Sequence, residues 1–143
     1  MTIATLLQPA DMHLGVRAAD KPAALAALAR LAPGDPAALL SRLNAREALG
    51  STGVGGGIAM PHARIDGLSG VRAWFIRLAR PIEFAAIDGG KVDLLFLLLS
   101  PSGDDQAHLA ALAALSRRLR APGVAAALRA AAKPEAAHAL LVG

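Results

Sequence analysis

At 143 residues the chain has the length of one domain, and it is long enough to bury a core without covalent staples. Its 55% apolar and 18% charged content excludes a disordered chain, and the absence of cysteine excludes a disulfide framework, a thiolate metal site and a dithiol redox motif. The net charge is a modest +4, and a cysteine-free chain fits a reducing, cytoplasmic setting.

The N-terminal Met1 to Pro9 carries no basic start and no small-residue cleavage site, so no signal peptide is expected. Asp20 to Leu31 predicts a first helix, with Pro22 in its first turn, Leu25, Leu28 and Leu31 as its apolar edge, and Pro33-Gly34 as its stop. Asp35 caps a second helix with Pro36 at its start and a stripe of Leu39, Leu40 and Leu43; Gly50 marks its end. The glycine-dense Ser51 to Gly57 cannot be regular helix, and Ile58 to Met60 is extended because residues before a proline avoid the α region. Val71 to Ala79 predicts a strand, 86–90 a turn, and Val92 to Leu99 a strand covered on both faces. A third helix is expected after Ser102, capped by a Ser102-Gly-Asp-Asp105 box, and running to about Arg120. Two short alanine-rich helices, 124–132 and 134–141, complete the chain. Strands among five helices predict an α/β domain spanning 1–143, with no linker or repeat dividing it.

Two bulk figures mislead. A mean hydropathy of +0.46 owes much to alanine, and the longest strongly apolar run, Leu94 to Leu99, is far short of the roughly 20 residues a spanning helix needs. No membrane insertion is expected. A pI near 10.7 suggests nucleic acid, yet the arginines are scattered and one Trp with three Phe offers little to stack on bases, so no nucleic-acid partner is expected.

The candidate chemistry lies in glycines, histidines and arginines. Gly50 to Gly57 completes neither a dinucleotide fingerprint nor a P-loop, since Ile58 and Gly56-Gly57 stand at the deciding positions. It is either a turn needing positive φ or a place where backbone or ligand approaches closely. His13, His62, His108 and His138 include no pair at i,i+3 or i,i+4, so no metal site is expected, and no cofactor. His62 follows Pro61 directly and would project from a stiff loop, as a functional group or an incidental one. His108 aligns with Leu112, Leu115 and Leu119 on the inward stripe of the third helix: a satisfied core histidine, or one at the mouth of a pocket near a helix N-terminus. Arg46, at the inner edge of the second helix in its last turn, is a solvated cation favoured by the helix dipole or a clamp for a phosphoryl group; Arg42, one turn earlier, fits either part.

Asn44 to Ala63, with Arg46, Gly50-Ser-Thr-Gly-Val-Gly55 and Met60-Pro-His62, resembles the signature of the fructose/mannitol-type enzyme IIA domains, phosphohistidine carriers of the bacterial phosphoenolpyruvate-dependent phosphotransferase system. The likeness continues through Pro81 to Phe84, Ile87-Asp88-Gly89, Val92 to Phe96 and Gln106 to Leu115. It implies a mixed parallel/antiparallel sheet flanked by helices on both faces. It implies further that His62 accepts the phosphoryl group on Nε2, that Arg46 lies by the phosphate, and that His108 shares the pocket. The implied donor is an HPr-type phosphocarrier, and the implied acceptors are a IIB domain in sugar systems or regulatory target proteins in the nitrogen branch. The glycine segment is nearer the nitrogen branch, with sugar transport as the alternative. Gly56 stands where that branch often has Asn, and Ala63-Arg64 replaces a common Gly-Lys, which puts loop flexibility and partner contact in question.

Overall fold

The structure, a computed structural model, describes residues 2–143. Two 3-10 turns, Ile3–Thr5 and Pro9–Asp11, lead into a strand, Met12–Val16 (β1), that the sequence pattern does not announce. Helices Lys21–Leu31 (α1) and Pro36–Leu49 (α2) follow as expected. Asp20 and Asp35 accept from the Ala23 and Ala37 amides, and each helix has a proline in its first turn whose missing N–H leaves nothing unpaired. Four strands come next: Gly53–Gly55 (β2), Ile58–Ala59 (β3), His62–Ile65 (β4) and Arg72–Ile82 (β5), the last extending three residues past the expected end. Val92–Pro101 (β6), Asp105–Arg120 (α3), Val124–Ala130 (α4) and Pro134–Val142 (α5) complete the fold.

The strands form one six-stranded mixed sheet in the order β1-β5-β6-β3-β2, with β4 also on β6. β5 runs antiparallel to β6, whereas β1 is parallel to β5 and both β3 and β4 are parallel to β6. Helices cover both faces. Trp74, Ile76 and Leu78 of β5 with Leu95, Leu97 and Leu99 of β6 pack under α1 and α2. Ala73 and Phe75 with Leu94, Phe96 and Leu98 pack under α3, α4 and α5. The period-2 alternation of a strand thus feeds two cores, which is why β6 reads as an unbroken apolar run.

β3 and β4 are one strand interrupted. Ile58 pairs with Leu94 and His62 with Leu98, so the register against β6 carries across the break at Met60-Pro61. Pro61 has no N–H to give, and the Met60 amide turns away to donate to the Thr52 carbonyl. Two expectations are corrected. His62 opens a strand rather than projecting from a loop, and Asp104 caps α3 by accepting from the Ala107 amide, so the box at Ser102 does not form. The inward face of α3 is His108, Ala111, Leu115 and Leu119; Leu109 points outward at 62% exposure.

Candidate functional site

His62, Arg46 and His108 come from β4, α2 and α3, elements on the two faces and the edge of the sheet, and they meet at one cleft of about 540 Å³. The interrupted strand accounts for the position of His62. At the break the Met60 carbonyl is free to accept from His62 Nδ1 at 2.9 Å. A carbonyl only accepts, so the proton sits on Nδ1 and Nε2 holds a lone pair. Arg46 Nε–H donates to that Nε2 at 3.1 Å, and its Nη1 donates to the Gly50 carbonyl at 2.8 Å, where α2 ends. Arg46 is therefore a held cation over the imidazole rather than a free solvated one.

His108 stands on the other side, its ring centroid 5.0 Å from that of His62. It is 2% exposed, and its Nδ1 lies 2.7 Å from Ser100 Oγ at the end of β6. Both of its readings hold at once: it is a satisfied buried histidine, and it lines the cleft. Burial pushes the His62 pKa down, with Arg46 adding to the effect and the Met60 carbonyl opposing it. Burial, then the neighbouring His62 and Arg64, pushes His108 down to about 4. Both rings are neutral at pH 7, so His62 Nε2 carries a lone pair chemically able to attack an electrophile.

Arg42 also borders the cleft, its Nη1 3.5 Å from the Arg64 carbonyl, and does not take Arg46's place on the imidazole. Arg64 closes the mouth, its Nε paired with Asp105 at 2.9 Å, which ties β4 to the first turn of α3. His13 lies on β1 and His138 on α5, away from the cleft, with His138 Nε2 donating to the Leu7 carbonyl.

The glycine segment resolves toward the turn. Gly55, Gly56 and Gly57 all have positive φ, and a Cβ on Gly57 would sit 2.3 Å from Arg129 Nη2, so the close approach there is made by the protein itself. Three of its amides are occupied within the protein: Thr52 donates to Glu47, Gly53 to Ser51 and Gly56 to Asp88.

Two parts of the site have no clear sequence signal. Glu47, beside Arg46, turns inward and accepts from the Thr52 amide at 3.0 Å and the Thr52 hydroxyl, with Lys21 Nζ 3.4 Å away. That knot pins the segment whose Gly50 carbonyl holds Arg46. Ser100, before Pro101, reads as a strand end and is instead the partner of His108. Among the described residues no cluster of three His, Asp or Glu could hold a metal, and no helix is long and apolar enough to cross a membrane.

Residues 5–142 match the family described as "Phosphoenolpyruvate-dependent sugar phosphotransferase system, EIIA 2". The chain is 39% identical over 145 residues to a nitrogen regulatory protein of Bradyrhizobium diazoefficiens, covering 99% of this chain and 95% of that protein. The crystal structure of the nitrogen regulatory protein IIA-Ntr of Neisseria meningitidis superposes with a TM-score of 0.91 at 31% identity, covering 97% of this chain and 98% of that one. IIA mannitol of Escherichia coli, at 20% identity and a TM-score of 0.80 over 94% of this chain and 98% of that one, shares the fold. The chain belongs to the type-2 enzyme IIA family of phosphoryl-transfer domains and sides with its nitrogen-regulatory branch.

Proposed function

We propose that the protein is a phosphohistidine carrier: His62 Nε2 takes a phosphoryl group from an HPr-type donor, and the loaded and unloaded forms bind regulatory target proteins differently. The observation that carries this is the 2.9 Å contact from His62 Nδ1 to the Met60 carbonyl. It places the one lone pair of the ring on the cleft side, beside a fixed guanidinium.

Transfer needs one bond exchange. His62 Nε2 attacks phosphorus in line as the bond from phosphorus to the donor's imidazole nitrogen breaks, and that imidazole leaves with the bonding pair. Little covalent assistance is required, so positioning and charge neutralisation do most of the work. The loaded ring keeps its Nδ1 proton and gains positive character, which the Met60 carbonyl favours. The phosphoryl group adds about 1.5 to 2 negative charges at pH 7 by analogy with other phosphorylated side chains. Arg46 Nε, released from Nε2, is placed to donate to a phosphoryl oxygen, and His108 borders the same space.

The surroundings suit a docking macromolecule better than a buried small molecule. Leu49 and Leu109 stand 85% and 62% exposed at the cleft, with Arg42 and Arg64 beside them. Exposed leucines ringed by charge are characteristic of an interaction surface.

Incubation with phosphoenolpyruvate, enzyme I and an HPr-type donor, followed by intact-mass measurement at alkaline pH, tests the reading. One phosphoryl group is expected on the wild type and none on His62→Ala. Normal loading of His62→Ala would overturn it. Efficient onward transfer to a IIB domain would move the protein to the sugar-transport role.

A further inference from the structure

Ser100 is fully buried at the end of β6, and its Oγ has one hydrogen-bond partner among the described residues, His108 Nδ1 at 2.7 Å. Two proton arrangements fit that distance. If Nδ1–H donated to Oγ, the serine O–H would itself be a buried donor with no acceptor, at a cost of about 1–3 kcal/mol. If the O–H donates to Nδ1, the serine donor is satisfied and the ring proton moves to Nε2. His108 Nε2 makes no hydrogen bond within the protein. Among the described residues no side-chain nitrogen or oxygen is both sealed from solvent and unpartnered, so Nε2 must open onto the cleft that His108 shares with His62.

We propose that Ser100 is a positioning residue: by donating to His108 Nδ1 it locks that ring as the Nε2–H tautomer and aims its N–H at the phosphoryl oxygens carried on His62. The inference rests on His62 as the acceptor, and it assigns Ser100 a part the fold alone does not require. An alanine at position 100 would fill the same strand end, but it would free His108 to adopt the tautomer that presents a lone pair to a phosphoryl oxygen. A lone pair facing an anion repels it. A buried ring held neutral has only one N–H to offer, so the direction of that proton decides whether the α3 side attracts or repels the phosphoryl group.

The test is made on the unloaded, ¹⁵N-labelled protein, where long-range ¹H–¹⁵N correlations distinguish the two tautomers of each histidine. His108 is expected as a single Nε2–H form in the wild type and as a mixture in Ser100→Ala. A wild-type His108 protonated on Nδ1 would overturn the proposal, whatever the variant does. The second arm follows the loaded protein by intact mass: Ser100→Ala is expected to shorten the lifetime of the phosphoryl adduct about 3- to 10-fold, the range of one ordinary hydrogen bond lost, and to add nothing further in a His108→Ala background. Equal losses in both backgrounds would show that Ser100 acts without His108 and would also overturn it. Failure of the wild type to load at all would instead sink the role of His62, while the tautomer spectra still decide the serine.

Discussion

The two walls of the cleft solve different physical problems. The α2 wall is charged and wet: Arg46 hangs from the His62 ring and the Gly50 carbonyl, with the Glu47–Thr52–Lys21 knot behind it. The α3 wall is neutral and dry: His108 at 2% exposure leans on Ser100 at 0%. A permanent positive charge is costly to bury, so it is kept where water still reaches it. A directional hydrogen bond is stronger where the local dielectric is low, so the neutral ring sits inside. One wall supplies charge, the other direction.

That division is most severely tested at Arg46. Arg46→Ala should slow phosphoryl acceptance at least about tenfold, a floor well under the roughly 10³-fold that a transition-state arginine can contribute. Its thermal midpoint should barely move, because no buried group loses its partner. Arg46→Lys should fall between, keeping charge while losing the fork that spans Nε2 and the Gly50 carbonyl. A transfer rate unchanged in Arg46→Ala would remove the charged wall from the mechanism.

His108→Ala should behave in the opposite proportion. It empties a buried position and strands the Ser100 hydroxyl, costing about 1–3 kcal/mol for the unpaired donor, visible in urea unfolding, along with a several-fold shorter adduct lifetime. A variant that loses lifetime with no loss of stability would mean the ring is less embedded than its contacts show. Glu47→Gln comes third. It weakens the link to Lys21 and the acceptance from Thr52, for about 1–2 kcal/mol. Transfer should slow only a few-fold, through a looser Gly50 carbonyl under Arg46.

Much of the scaffold was legible because its signals are local. Asp20 and Asp35 before prolines announce α1 and α2, and the run from Val92 announces β6. β1 was not legible, since Met12–Val16 carries His13 and Gly15 and only Met12 is fully buried. His62 looked like a loop residue because Pro61 breaks the pattern, yet the register against β6 resumes immediately after it. Within the site, helical offsets put His108 on the inward stripe and Arg46 at the inner edge of α2. Their meeting with His62 is a long-range event that spacing along the chain does not encode; it came from the family resemblance. Glu47 and Ser100 were missed for the same reason. A glutamate beside an arginine on a helix reads as a solvated pair, and a serine before a proline reads as the end of a strand.

A further expected effect separates the walls by titration. An arginine stays charged throughout the accessible range, so the α2 wall has no proton to take up near neutrality. His108 is different: its pKa is about 4 in the folded protein, against an ordinary 6.5 in the unfolded chain. Between those values the unfolded state binds the proton first, so stability contributed by the neutral ring is whole above about pH 6.5 and is lost as pH falls toward about 4. Carboxylates elsewhere also weaken the fold in acid, but they are common to the wild type and to His108→Gln, as is His62, whose lowered pKa acts in the same direction. Urea unfolding of both proteins at intervals from pH 7 to pH 4.5 should therefore show the wild type losing its lead over His108→Gln steadily as acid is added. Parallel curves would mean that His108 titrates like an open histidine, and the contrast between a dry wall and a wet one would have no energetic basis.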